Sequence, residues 1–230
     1  MQNRIEKFLF STFAALLLTS VQLYAQGTVY DLNFRPKNYA ARIATFKTKP
    51  ISEKDYVFLG NSIIARGNWS ALLRLSNAKN RGIAGDITNG VLDRLDEIID
   101  GKPAKLFVLI GINDISKKIP DSLILKNYME IISRVRKGSK HTQIYFSTLL
   151  PVNSSFGKFN DHYGKDKHII WLNHEIKKLA AKNVTIIDLY SVFSDEHKAL
   201  RASLTNDGLH LLPAGYRLWA ELLKNGGYLK

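Results

Sequence analysis

The sequence predicts an α/β fold in which a parallel sheet carries helices on both faces. Three observations lead there. Four apolar runs have strand length, Tyr56–Leu59, Lys105–Ile110, Gln143–Leu149 and Val184–Leu189, and the second is almost continuously apolar, as a strand buried on both faces is. Between them lie stretches with apolar residues at helical spacing. The runs also end in Gly-containing or polar clusters, which gathers those clusters on the rim beyond the carboxyl ends of the strands, where ligands of such sheets lie.

In chain order, Arg4 and Lys7 precede an apolar stretch, Phe8–Leu18, that leads to Leu23-Tyr24-Ala25 before Gln26. That is the order of a secretory signal peptide, and its core is shorter than the roughly 20 apolar residues of a membrane span. Residues 1–25 are expected to be a leader and 26–230 one exported domain, with an uncleaved anchor as the alternative. A helix with the stripe Tyr39, Ile43 and Phe46 follows, closed by Pro50, and carries no chemistry. The first strand, Tyr56–Leu59, stops at Gly60 and turns into a helix marked by Trp69, Leu72, Leu73 and Leu75. Asn80–Asp86 reads as a glycine-rich turn before a helix with Ile87, Val91, Leu92, Leu95, Ile98 and Ile99, which Asp86 or Thr88 would cap. After the strand Lys105–Ile110 and the cluster Gly111-Ile112-Asn113-Asp114 come a helix over 122–136, the strand Gln143–Leu149, a loop over 151–165, a helix over 166–181 and the strand Val184–Leu189. The segment Thr205–Pro213 then precedes a terminal helix with Tyr216, Leu218, Trp219, Leu222 and Leu223.

Composition narrows the function classes. The formal charge of +13 attracts anions such as nucleic acid, acidic glycans or lipid head groups. Lysine and arginine are nevertheless scattered, with no long run and no repeated aromatic-basic stripe, which argues against a nucleic-acid module. Cysteine is absent, which excludes disulfides, thiolate metal sites and a cysteine nucleophile. His174-Glu175 has no second histidine at metal spacing, so neither a metal nor a cofactor is expected.

Acyl transfer from a hydroxyl needs a nucleophile, a base, a group that orients the base, and donors for the oxyanion. Ser62, two residues past Gly60 at a strand-to-helix junction, is a candidate nucleophile, although taken alone it reads better as an ordinary turn serine. Asp207 and His210 are three residues apart around Gly208; that spacing lets the carboxylate hold one imidazole nitrogen and leaves the other for Ser62. The N–H groups of Ser62 and Gly85 and the carboxamide of Asn113 would supply the oxyanion hole. Each piece alone has a structural reading, since Asp-x-x-His is a frequent chance spacing, Asn113-Asp114 suits an Asx turn and Gly85 suits a helix start. The nucleophile elbow of α/β-hydrolases is absent, because Ile64 stands where its last glycine belongs.

Taken together, Gly60-Asn61-Ser62, Gly82-Ile83-Ala84-Gly85-Asp86, Gly111-Ile112-Asn113-Asp114 and Asp207-Gly208-Leu209-His210 resemble, in order, the four sequence blocks of the SGNH hydrolase superfamily, the GDSL-type lipases and acylhydrolases. The resemblance covers roughly Tyr56 to Tyr216. It implies a three-layer, flavodoxin-like α/β/α sandwich around a parallel sheet of about five strands. It also implies Ser62 as nucleophile, His210 as base, Asp207 as its partner, and Gly85 and Asn113 as oxyanion-hole residues beside Ser62. One departure is Asn61, where the family usually has aspartate; an amide keeps the acceptor, adds a donor and loses the charge. The chain is similar to the compact branch that includes platelet-activating-factor acetylhydrolase catalytic subunits and bacterial carbohydrate O-acetylesterases.

Short loops without a long apolar lid suggest a short acyl group, acetyl above all. The loop over 151–163 is expected to border the alcohol, with Asn61, Phe156, Phe159 and Tyr163 as candidate substrate contacts, or else to be a plain surface loop. Export and positive charge favour an acetylated, acidic cell-surface or dietary glycan, sialic acid being one example, as the partner. A lysophospholipase or thioesterase with the same triad, and a catalytically silent glycan-binding protein, are the alternatives.

Overall fold

The computed structural model describes residues 30–230, so the expected leader over 1–25 lies outside the described residues. Helix α1, Tyr39–Lys47, precedes strand β1, Tyr56–Gly60. Two short helices, α2 (Ser62–Ala65) and α3 (Trp69–Leu73), lead to β2 (Ala78–Gly82), and α4 (Thr88–Asp93) and α5 (Leu95–Gly101) to β3 (Lys105–Leu109). Then follow α6 (Ile112–Ser116), α7 (Asp121–Gly138), β4 (Gln143–Ser147), α8 (Asp166–Lys177), β5 (Val184–Ile187), α9 (Leu189–Phe193) and α10 (Pro213–Asn225). All strand pairs are parallel, in the order β2-β1-β3-β4-β5, the flavodoxin-like order, and the helices complete an α/β/α sandwich as expected. Among the described residues no helix is long and apolar enough to cross a membrane.

Register explains the core. Phe58, Phe107 and Tyr145 are direct partners across β1, β3 and β4, so their rings share one face of the sheet. They stack at 4.7 Å and 4.7 Å, and Trp69 adds a further stacked ring at 4.2 Å from Phe58. Each aromatic pair adds about 0.5–1.5 kcal/mol beyond the area it buries. Trp219 of α10 meets Trp69 edge-on, which ties the terminal helix to this ladder.

Two elements differ from expectation. The supposed turn at Asn80 begins as a strand, β2, at the sheet edge. Its polar residues are satisfied locally: Asn80 Nδ2 donates to the carbonyls of Ile64, Ala65 and Gly67, and buried Arg81 reaches Glu97 and the carbonyl of Lys49. The single helix expected over 87–99 is broken at Arg94. That side chain turns inward, donating to Asp86, to Arg81 O at 2.8 Å and to Gly60 O at 3.1 Å. Neither Asp86 nor Thr88 caps α4. The Thr88 N–H instead meets Asp114 Oδ1 at 3.0 Å, from the other side of the rim, and burial pushes the Asp114 carboxyl up to about 7.

Candidate active site

Pairing fixes where the motifs meet. Gly60 is opposite Gly82 on one side and Leu109 on the other, so Ser62, Gly85 and Asn113 all leave the same carboxyl edge, at the point where strand order reverses. The fourth block arrives from the loop before α10. The bridge Thr205–Leu211 closes that loop, and Gly208 takes φ +76 within it, where a side chain would run into the Asn153 carbonyl.

The side chains are brought into a hydrogen-bonded series. Ser62 Oγ lies 3.0 Å from His210 Nε2, and His210 Nδ1 lies 2.8 Å from Asp207 Oδ2. The other carboxylate oxygen, Oδ1, accepts the N–H groups of Leu209 at 3.0 Å and His210 at 2.7 Å, so the short turn that separates the two residues also fixes the carboxylate's orientation. Burial would raise the Asp207 carboxyl, but these N–H groups and the imidazole outweigh it and hold it below the usual carboxylate range. Burial holds His210 below its ordinary value; the Asp207 bond opposes this and the Arg66 guanidinium adds to it. The imidazole is therefore a neutral acceptor at neutral pH, held in one tautomer by an anion.

The expected donors leave the same edge of the sheet as Ser62. Asn61 Oδ1 takes the N–H of Ile63 at 3.0 Å, so the cap of α2 leaves the Ser62 N–H available. Gly85 sits at φ +82 against the ring of Pro36, and its N–H meets no intramolecular acceptor among the described residues. Asn113 Nδ2 donates to the carbonyl of Asp86 at 2.9 Å, which brings the carboxamide next to the residue after Gly85.

A model of the GDSL-like lipase/acylhydrolase family matches residues 58–218, well over half the chain. The chain belongs to that family. Similar solved structures agree with the assignment. A Streptococcus pneumonia protein provisionally described as a platelet activating factor is 28% identical, with a TM-score of 0.76, over 95% of this chain and 99% of that one. A provisionally assigned acylhydrolase from Bacteroides fragilis is 25% identical, with a TM-score of 0.69, over 86% and 100%. A GDSL-like lipase from Bacteroides thetaiotaomicron, 24% identical with a TM-score of 0.68 over 83% and 95%, shares the fold. No curated protein sequence matches the chain. As a GDSL-like acylhydrolase the protein is a carboxylic ester hydrolase.

Against this GDSL-like frame the candidate substrate contacts divide. Asn61 is 1% exposed beneath the rim and caps α2, so it faces no substrate, contrary to expectation; its Nδ2 has no partner among the described residues. Tyr163 donates its hydroxyl to the Asp207 carbonyl, and Phe159 packs its ring against His210 at 5.1 Å, so both brace the triad. Phe156 ends the 3-10 turn Ser154–Phe156 and makes no hydrogen bond or ring contact with the triad among the described residues. The residue that sequence reasoning missed is His162, whose Nε2 lies 3.1 Å from Asn113 Oδ1. A loop histidine without a carboxylate at fixed spacing gives no local signal for such a contact. Elsewhere, a cleft of about 720 Å³ lined by Lys102, Pro103, Ala104, Ser139 and His141 opens at the amino-terminal ends of β3 and β4, opposite the rim that carries Ser62. It shares no residue with the hydrogen-bonded series.

Proposed function

We propose that this GDSL-like hydrolase is an exported serine esterase that removes a short acyl group, acetyl above all, from hydroxyls of an acidic glycan. The reading is carried by the continuous series Asp207–His210–Ser62 at the edge of the sheet. In this mechanism Ser62 Oγ attacks the ester carbonyl while its proton passes to His210 Nε2. The oxyanion is met by the N–H groups of Ser62 and Gly85 and by Asn113 Nδ2. Collapse expels the alcohol, which takes the proton from His210, and the neutral imidazole then activates water to hydrolyse the acyl-serine. Asp207 holds the imidazolium in both halves.

Two features support the substrate class. The interior space beside Asn61 and Ile63, walled in part by Leu109, Ile112, Leu149 and Leu209, measures about 10 Å³, which is water-sized, so no long acyl chain would enter the core there. Three cations flank the rim: half-exposed Arg66, 3.9 Å from Asp207; Lys158, which donates to Asn206 O; and Lys117, set over the Phe34 ring. They favour an alcohol that carries negative charge, such as a sialic acid.

The test is turnover of p-nitrophenyl esters of increasing length, then acetate release from acetylated xylan, peptidoglycan and sialoglycans. Acetate esters are expected to be turned over faster than octanoate, and acidic glycans faster than neutral xylan. A preference for octanoyl or longer chains would replace this reading with a lysophospholipase or thioesterase. The base adds a pH dependence. Because His210 must be neutral and its pKa is lowered, kcat/KM is expected to hold at neutral pH and to fall along a one-proton limb centred below 6.5. A flat profile down to about pH 4 would remove His210 from the role.

A further inference from the structure

The Asn113 carboxamide is held at both ends. Its Nδ2 donates to the Asp86 carbonyl at 2.9 Å, and its Oδ1 faces His162 Nε2 at 3.1 Å. A carbonyl only accepts, so the amide nitrogen must point to Asp86 and the amide oxygen to His162. An amide oxygen likewise only accepts, so His162 Nε2 carries the hydrogen. That leaves Nδ1 as a bare lone pair, and it is buried without a partner among the described residues. A proton placed there would be an unpaired buried donor, which the fold disfavours. Burial accordingly holds His162 below the ordinary histidine value, with His210 and Lys117 adding to the effect and Asp161 opposing it. Phe159 presents its ring to both imidazoles, at 5.9 Å from His162 and 5.1 Å from His210, and keeps them apart.

We propose that His162 is a positioning residue for the oxyanion hole: its Nε2–H locks the Asn113 amide so that the second Nδ2 hydrogen, the one not given to Asp86, is presented to the oxyanion. The terminal torsion of an asparagine is soft and nearly two-fold, so one hydrogen bond to Asp86 limits the amide while a second one fixes its plane. His162 is thereby excluded as a second base, because one nitrogen is committed as a donor and the other is sealed from solvent. The role rests on ester hydrolysis at Ser62 but not on which acyl group or alcohol is used.

The experiment compares wild type with His162→Ala, His162→Gln, Asn113→Ala and the double variant His162→Ala/Asn113→Ala, with p-nitrophenyl acetate as substrate. Loss of the Asn113 donor should lower kcat by about 10²–10³-fold. Loss of His162 should lower kcat on the order of 10-fold, less than the roughly 10²-fold of an ångström-scale displacement, with KM nearly unchanged. Glutamine, whose amide N–H can replace Nε2–H, should recover most of that. In the Asn113→Ala background His162→Ala should cost nothing further. Nitrogen-15 spectra of the wild type at neutral pH should show His162 as the neutral Nε2–H tautomer, a readout independent of turnover. A His162→Ala enzyme as fast as wild type, a loss that Gln does not restore, losses that multiply in the double variant, or an Nδ1–H tautomer would each overturn the proposal while the esterase reading stands. A wild type with the expected tautomer and no turnover of any ester would overturn the esterase reading and this role with it.

Discussion

Ser62→Ala is expected to lower ester turnover by about a millionfold, to the residual level that donors and binding alone sustain. The substitution removes Oγ and nothing else that the fold uses, because the hydroxyl's hydrogen bond is to His210 Nε2 and the Ser62 N–H stays in place. Unfolding free energy should therefore change by no more than about 1 kcal/mol, a typical single hydrogen bond. Burst titration with p-nitrophenyl acetate, beside thermal or urea unfolding, checks both halves. A variant that folds and still hydrolyses at the wild-type rate would remove Ser62 as nucleophile. A wild type with no turnover on any ester, yet binding glycans, would leave the silent binding protein as the surviving reading.

The second large effect concerns stability. Arg94→Ala is expected to cost about 3–5 kcal/mol, since it strands Asp86 as a buried charge without its partner. Burial already pushes the Asp86 carboxyl up, more than Arg94 pulls it down, so the pair is a compensated burden and not a net stabiliser. Removing both charges together, as Asp86→Asn/Arg94→Ala, should then cost less than the sum of Asp86→Asn and Arg94→Ala made singly. Urea unfolding of the three variants measures this, and strict additivity would show that the two groups do not depend on each other. Arg94 also donates to the carbonyl of Gly60, two residues before Ser62, and the Asp86 carbonyl takes the Asn113 amide. Activity of the Arg94 variant should fall even in the fraction that remains folded.

The chemistry was more legible in the chain than the fold's edges were. Strands β1 and β3 announce themselves because burial on both faces demands an almost continuous apolar run, with Lys105 at the start of β3 as the exception. An edge strand paired on one side alone has no such demand, and the part of β2 from Asn80 to Gly82 read as the start of a turn until its side chains could be matched with the carbonyls of other segments. Arg94 interrupts a helical pattern for a tertiary reason, a carboxylate and two carbonyls contributed by earlier segments. The meeting of Ser62, His210 and Asp207 was legible because Asp207 and His210 interact through local spacing and Ser62 follows a strand. Asn61 was read by its place beside the nucleophile, and burial settled its role as a cap. His162 was invisible for the opposite reason: its partner is 49 residues away in the sequence, and the loop that carries it has no periodic pattern.

That loop also bears on how specificity could change over evolution or by engineering. Besides His162, Phe159 and Tyr163, it is tied down by Asn153, whose N–H donates to Gly208 O and whose amide donates to Leu200 O. A segment proposed to border the alcohol is thus also bound to the Asp207–His210 turn and to the Asn113 amide. Under that proposal selectivity and rate are not separable modules. Transplanting a relative's loop to accept a new alcohol would have to bring replacements for these four side chains, or exchange one substrate for another at the expense of speed on both.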